Sequence, residues 1–187
     1  MSSTLVTAVS VASIVTFMTV AQLSRRRGLT RRGETIARSR GLAHYIAYFF
    51  FVPYLVIAAR AGPELDLPEP VRWAGLALVV IGVGVALWAI ATLGRHYDLE
   101  LEIHRDHELV RAGPYRFVRH PIYTGLGLHF VGACLATGNL ALIAGTLLVT
   151  FPAFYVRART EERLLRERFG PAYDAYADEV AMLVPLL

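Results

Sequence analysis

The sequence predicts an all-α integral membrane protein with about five transmembrane helices, a C-terminal helix outside the bilayer, and a short β-ribbon or loop beside it. Three observations carry that reading. Hydrophobic residues make up 55% of the 187 positions and charged residues only 18%, too apolar for an ordinary soluble domain of this length. The apolar residues are gathered into runs of roughly 20, the length that crosses a bilayer. The cations lie beside those runs instead of forming a basic face: all 19 basic residues are arginine, and seven of them fall between positions 24 and 40.

The elements follow in order. Thr4–Leu23 is a clean first span. It lacks a positive leading region and is followed by Arg25, Arg26 and Arg27, the reverse of a secretory signal, and so reads as an uncleaved anchor. Leu42–Ala61 is a second span with a kink at Pro53, and Val71–Leu93 is a third. The apolar stretch Ile122–Val156 is broken by "ATGN" at 136–139, which makes it a hairpin of two short spans. Between the third and fourth spans, "YDLELEIHRDHELV" alternates apolar and acidic residues from Leu99 to Ile103 and turns near Arg105-Asp106. That pattern suits a local β-ribbon or an irregular loop. The tail from Arg157 is helical, with Arg157–Glu161 and Glu162–Arg166 four residues apart, and Gly170-Pro171 punctuates it. Tyr173, Tyr176 and Val180 continue one apolar face.

Arginine placement orients these spans. The loop at 24–40 holds seven Arg and one Glu, whereas "GPELDLPEP" holds only acids. The N-terminus is therefore expected outside, with residues 24–40, 94–121 and the tail from Arg157 in the cytoplasm. Arginines placed this way speak for membrane orientation and against nucleic acid as a partner. The lone Cys134 rules out a disulfide framework or a cysteine metal site. No repeat or linker divides the chain, so 1–187 reads as one domain, with three spans in 1–93 and the remainder in 94–187.

Chemistry gathers in "GPYRFVRHPIYTG" at 113–125. Pro121 suits a first helical turn and pushes His120 into extended backbone. The amides of Ile122, Tyr123 and Thr124, with Arg116 and Arg119 near, then make a site for a carboxylate or phosphate. The same arginines equally suit contact with lipid headgroups. His120 reads as a hydrogen-bonding anchor or a catalytic group. His96, His104 and His107 match no familiar ligand spacing, so no metal is expected. His44 and His129 lie inside spans, where ionisable groups are often functional. Glu161 and Glu162 point about 100° apart on a helix, so at most one is expected to face a given pocket, and surface pairing with Arg157 and Arg166 is the alternative. Gly125, Gly127 and Gly132 permit close helix packing.

Taken together, Arg119-His120-Pro121-Ile122-Tyr123-Thr124-Gly125, then Glu161-Glu162 some 35 to 40 residues later, then Phe169-Gly170…Tyr173…Tyr176 resemble the isoprenylcysteine carboxyl methyltransferase family and its phospholipid methyltransferase relatives. The resemblance covers roughly residues 90–185; the first two spans carry no matching motif. It implies a cytoplasmic S-adenosylmethionine pocket, with S-adenosylhomocysteine as product. Arg119, His120, Pro121, Tyr123, Gly125, Glu161 and Glu162 would serve that pocket, Arg119 and Glu162 as the catalytic pair. His96, Leu109, Val110, Gly113, Pro114 and Tyr115 would line it. The ending "VAMLVPLL" departs from the basic flank that often follows the family's glutamate helix.

A membrane methyltransferase follows, acting on a lipophilic acceptor: an isoprenylcysteine-type carboxylate, a lipid amine or a small thiol. The arginine-only composition associates the chain with a GC-rich prokaryotic cytoplasmic membrane. The competing readings are a non-catalytic scaffold or lipid-binding protein of the same fold, and a redox protein using His44 and His129 as haem ligands.

Overall fold

The computed structural model describes residues 3–29, 35–38, 62–97, 102–104 and 108–185. Helix α1 spans Ser3–Leu29, strand β1 Thr35–Arg38, and helix α2 Glu69–Leu93. A 3-10 turn at Gly94–His96, strand β2 at Glu102–His104 and a second 3-10 turn at Gly113–Arg116 lead to helix α3, Pro121–Thr137. Helix α4 (Leu140–Gly145) runs through a π-turn at Thr146–Thr150 into α5 (Phe151–Phe169), and α6 (Pro171–Glu179) closes the order. The expected second span, Leu42–Ala61, lies outside the described residues, as does His44.

Among the described residues, three helices are long and apolar enough to cross a membrane: Thr4–Ser24, Glu69–Leu93 and Leu140–Phe169. The first two coincide with expected spans. The third joins the expected fifth span to the helical tail without a break, because nothing between Phe151 and Phe169 stops the helix. Its one proline, Pro152, can donate no backbone bond, and the π-turn immediately before it accommodates the missing donor. Helix α3 is shorter, 17 residues, and packs antiparallel on α2.

The hairpin turn falls where "ATGN" predicts it. Gly138 adopts φ +68°, a left-handed conformation that costs glycine little, and its N–H closes α3 on Cys134 O at 2.8 Å. Asn139 then caps α4, accepting from Leu142 N at 2.9 Å. The acidic loop straps onto this turn: Leu65 N donates to Gly138 O and Leu140 N to Pro63 O. Residues 62–68 and 138–140 therefore share one end of the molecule.

At the other end, β2 pairs antiparallel with β1, Thr35 opposite His104 and Arg38 opposite Glu102. The alternation before Ile103 does mark a strand, but the partner differs from the expected ribbon turning at Arg105-Asp106. A period-two pattern marks which face is apolar and says nothing of the strand across from it. The pairing places the arginine-rich segment after α1 beside the segment after α2.

What holds α2 to α3 is the absence of side chains. Gly75 faces Gly132 and Gly82 faces Gly125, each pair seven residues from the next on both helices. A Cβ on Gly82 would meet Gly125 O and lie 2.5 Å from His129 N; one on Gly132 would lie 2.6 Å from Gly75 O and Val79 N. Val79, Val83, Ala86, Ile90, Leu126, Phe130 and Ala133 fill the buried core around this crossing. Fully buried His129 bridges it, its Nδ1 donating to Val79 O at 3.2 Å. Gly82→Ala is therefore expected to destabilise the protein by about 1–3 kcal/mol, the range for an overpacked core. Gly84→Ala, with nothing within 4 Å, should be silent in the same thermal unfolding measurement in detergent.

Candidate active site at the start of helix α3

Pro121 begins α3, so the chain arrives at His120 in non-helical backbone (φ −125°, ψ 62°). Arg119 and His120 are thereby held ahead of the helix, facing α5. Glu162 lies there, fully buried, and Arg119 grips it side-on: Nε and Nη2 each stand 2.7 Å from Glu162 Oε1. Arg119 is itself only 11% exposed. Its Nη1 donates to Ala177 O at 2.7 Å and also to Val180 O. Four of the five guanidinium N–H groups thus have acceptors within the protein.

In this arrangement the Arg119 fork is directed at Glu162 and at two backbone carbonyls, where the sequence suggested a ligand carboxylate. A buried guanidinium must have its donors satisfied, and α6 and the tail supply carbonyls for that. The helix amides are also less open than expected, since Thr124 N donates to His120 O at 3.0 Å. Arg116 is exposed and lies over the Phe117 ring, 4.5 Å from its centroid, away from the cluster.

His120 is buried between the two glutamates. Its Nδ1 stands 3.6 Å from Glu161 Oε2 and its Nε2 3.6 Å from Glu162 Oε1. Adjacent acids therefore face one pocket after all, because a ring presenting a nitrogen on each edge spans the angle between them. The distances are in ion-pair range and beyond hydrogen-bond range. Burial pulls the His120 pKa down, and the two glutamates pull it up by more, leaving it above its ordinary 6.5. The expected pairing of Glu162 with Arg166 is present as well: exposed Arg166 and Arg159 stand 3.5 and 3.7 Å from Glu162 Oε2, also in ion-pair range.

Tyr123 stacks on His120 with ring centroids 5.7 Å apart, and its hydroxyl donates to Glu161 Oε2 at 3.1 Å. The Tyr123 hydroxyl oxygen in turn accepts from Arg157 Nε at 2.8 Å. Buried Arg157 is thus a member of the cluster that its i, i+4 spacing to Glu161 only hinted at. Tyr115 joins from the second 3-10 turn. It is buried, its carbonyl accepts from Tyr176 Oη at 2.6 Å, and its hydroxyl pKa is raised by burial and then by the charge of Glu161.

Other expected site residues have different surroundings. Gly125 faces α2 at the helix crossing, where its lack of a side chain serves packing. Gly113, at φ +58°, turns the chain against Thr92, whose Oγ1 lies 2.7 Å from where a Cβ would be. Pro114 and Pro121 are buried beside these turns. His96 is half-buried at the end of the first 3-10 turn, next to buried Tyr97; Leu109 and Val110 are half-buried ahead of the second. Among the described residues no group of His, Cys, Asp or Glu is arranged to hold a metal.

The linkage sign for His120 follows from its raised pKa. The stability contributed by its charge is fully present below 6.5 and is lost as pH rises through the raised folded value. The melting-temperature difference between wild type and His120→Gln should therefore be larger at pH 6 than at pH 9. Glu161→Gln and Glu162→Gln should each lower the His120 pKa in an NMR titration. Glu167→Gln, on the exposed side of α5, should leave it unchanged.

The profile of the phospholipid methyltransferase family matches residues 71–172, from α2 to the start of α6. A probable protein-S-isoprenylcysteine O-methyltransferase of Oryza sativa subsp. indica is 30% identical over 173 residues, 91% of this chain and 88% of the relative. Protein-S-isoprenylcysteine O-methyltransferase B of Arabidopsis thaliana is 32% identical over 115 residues, 60% of this chain and 58% of the relative. Among solved structures, a eukaryotic intramembrane Ras methyltransferase, an isoprenylcysteine carboxyl methyltransferase, matches with a TM-score of 0.58 at 28% identity. That match covers 78% of this chain and 51% of the other, so this chain spans about half the solved protein's length.

Proposed function

The chain belongs to the phospholipid methyltransferase family and is an integral membrane methyltransferase, and on that premise we propose that it methylates an isoprenylcysteine-type carboxylate on a lipophilic acceptor, using S-adenosylmethionine. The observation that carries the reading is the cluster of buried His120 and Glu162 with half-buried Glu161 and Tyr123 at one end of the membrane helices.

The cluster's residues fit the aminoacyl end of that donor. His120 Nε2 and Glu162 Oε2 are buried with no hydrogen-bond partner, one a proton donor when the ring is charged and the other an acceptor. A carboxylate and an ammonium would satisfy them. Glu161, 37% exposed, is the more accessible acid and suits the ammonium or ribose hydroxyls. The Tyr115 and Tyr123 rings suit a cation. When bound, the donor supplies a methyl group on a sulfonium, an electrophile that a carboxylate attacks without a base.

The chain's own residues then have three tasks. Arg119 is a positioning residue: it fixes Glu162 and the segment after α6, and it reaches reactants only through them. Arg157 places a buried cation one turn from Glu161 and orients the Tyr123 hydroxyl. The apolar walls of α3 and α5 exclude water and align the acceptor, the main need of an in-line methyl transfer. The whole chain acts as one domain, since α3 of the motif half is packed on α2 along the glycine crossing.

The orientation that supports this chemistry puts the arginine-rich end, and the cluster with it, in the cytoplasm of a prokaryotic cell. A C-terminal reporter should be active only when it reads the cytoplasm; activity outside would reverse the assignment. Membranes containing the protein should transfer label from S-adenosylmethionine to a prenylcysteine analogue as a methyl ester, which alkali releases as methanol. Alkali-stable label would instead mean an amine or thiol acceptor. Arg119→Lys, unable to match four donors in a fixed plane, should lower transfer at least about tenfold, while exposed Arg26→Lys should be silent.

A further inference from the structure

The segment after α6 lies across the start of α3. Arg119 N donates to Ala181 O at 2.8 Å and His120 N to Met182 O at 3.1 Å, and Val118 forms a parallel bridge with Ala181. Thr124 Oγ1 donates to Leu183 O at 2.6 Å, the last described bond along the segment. The Arg119 guanidinium holds its near end at Ala177 O and Val180 O. Every acceptor is a backbone carbonyl.

Arg119 and His120, whose amides it covers, belong to the cluster itself. Beneath them His120 Nε2 and Glu162 Oε2 are both out of contact with solvent and without a hydrogen-bond partner, their charged neighbours standing at 3.5 Å or more. A ligand that satisfies those atoms must displace whatever shields them. The bond at the far end is the one that peels first, because Val180 and Ala177 stay anchored by Arg119.

We propose that Thr124 is a positioning residue for the transfer reaction: through Leu183 O it fastens residues 180–183 as a strap over His120 and Glu162, and so sets how fast the donor enters and its product leaves. The gating part of this rests on the S-adenosylmethionine reading above; the fastening part does not. Thr124→Val keeps the side-chain shape and removes the hydroxyl, and Thr124→Ser restores it.

The test has two readouts on the full chain in lipid nanodiscs. The Arg119 and His120 amides are protected by the strap, so their hydrogen exchange reports its opening without any ligand. Loss of one hydrogen bond should speed that exchange by about three- to tenfold in Thr124→Val, and Thr124→Ser should return it to the wild-type rate. Dissociation of S-adenosylhomocysteine should quicken by a similar factor, with the same rescue. Unchanged exchange in Thr124→Val overturns the strap. Faster exchange with unchanged dissociation overturns its role as a gate. A wild-type protein that binds no S-adenosylhomocysteine overturns the cofactor reading and the gate with it, while the exchange result still judges the fastening.

Discussion

The buried ion pair between Arg119 and Glu162 is the constraint around which the rest of the site is organised. A guanidinium and a carboxylate leave water at a cost of several kcal/mol each, and their attraction offsets that only when the geometry is good and the remaining donors are satisfied. Both conditions draw in other segments. Glu162 brings α5, the Arg119 backbone brings the start of α3, and two further guanidinium hydrogens bring α6 and the chain beyond it. One side chain therefore joins three pieces of sequence separated by up to 61 positions. His120 is placed by the same geometry, since its neighbour's grip on Glu162 leaves the ring nowhere to lie except between the two acids.

The pair needs a rigid backing, and α2 supplies it. Contact between α2 and α3 is backbone against backbone, so the α3 axis has little freedom to tilt or slide. Bulkier residues at Gly82 or Gly132 would hold the helices apart and move the start of α3 relative to α5. The loop at the opposite end reinforces the arrangement by tying residues 63–65 to the hairpin turn. Precision at the cluster is thus inherited from small residues one and three turns along α3 from its start.

Much of this was legible in the sequence, and what was not has a common cause. The first and third expected spans follow from apolar run length, the hairpin turn from Gly138 and Asn139, and the cluster's core from Arg119, His120, Tyr123, Glu161 and Glu162. Each is a local signal or a motif. The strand partner of β2, the tail's place on α3 and the acceptors of Arg119 are non-local, and most are backbone carbonyls, which every residue has and no pattern marks. The assumption that two adjacent acids diverge failed because it treated the partner as a point, whereas an imidazole has two ends. Gly75 and Gly82 share the spacing of seven of Gly125 and Gly132, a match that becomes a contact only once the two helices are set side by side.

The π-turn at Thr146–Thr150 has a consequence for rotational phase. An α-helix turns about 100° per residue, and a π-turn absorbs roughly one extra residue into the winding. Everything after Phe151, including Arg157, Glu161 and Glu162, is consequently rotated by that amount relative to the helix that leaves the hairpin at Asn139. A regular helix between Leu140 and Phe169 would aim the acidic doublet away from His120 with the same residues in the same order. The rod from Leu140 to Phe169 therefore carries two azimuths, one in α4 set by the hairpin and one in α5 set by the cluster, and the widened turn ahead of Pro152 is the phase shifter that lets it satisfy both.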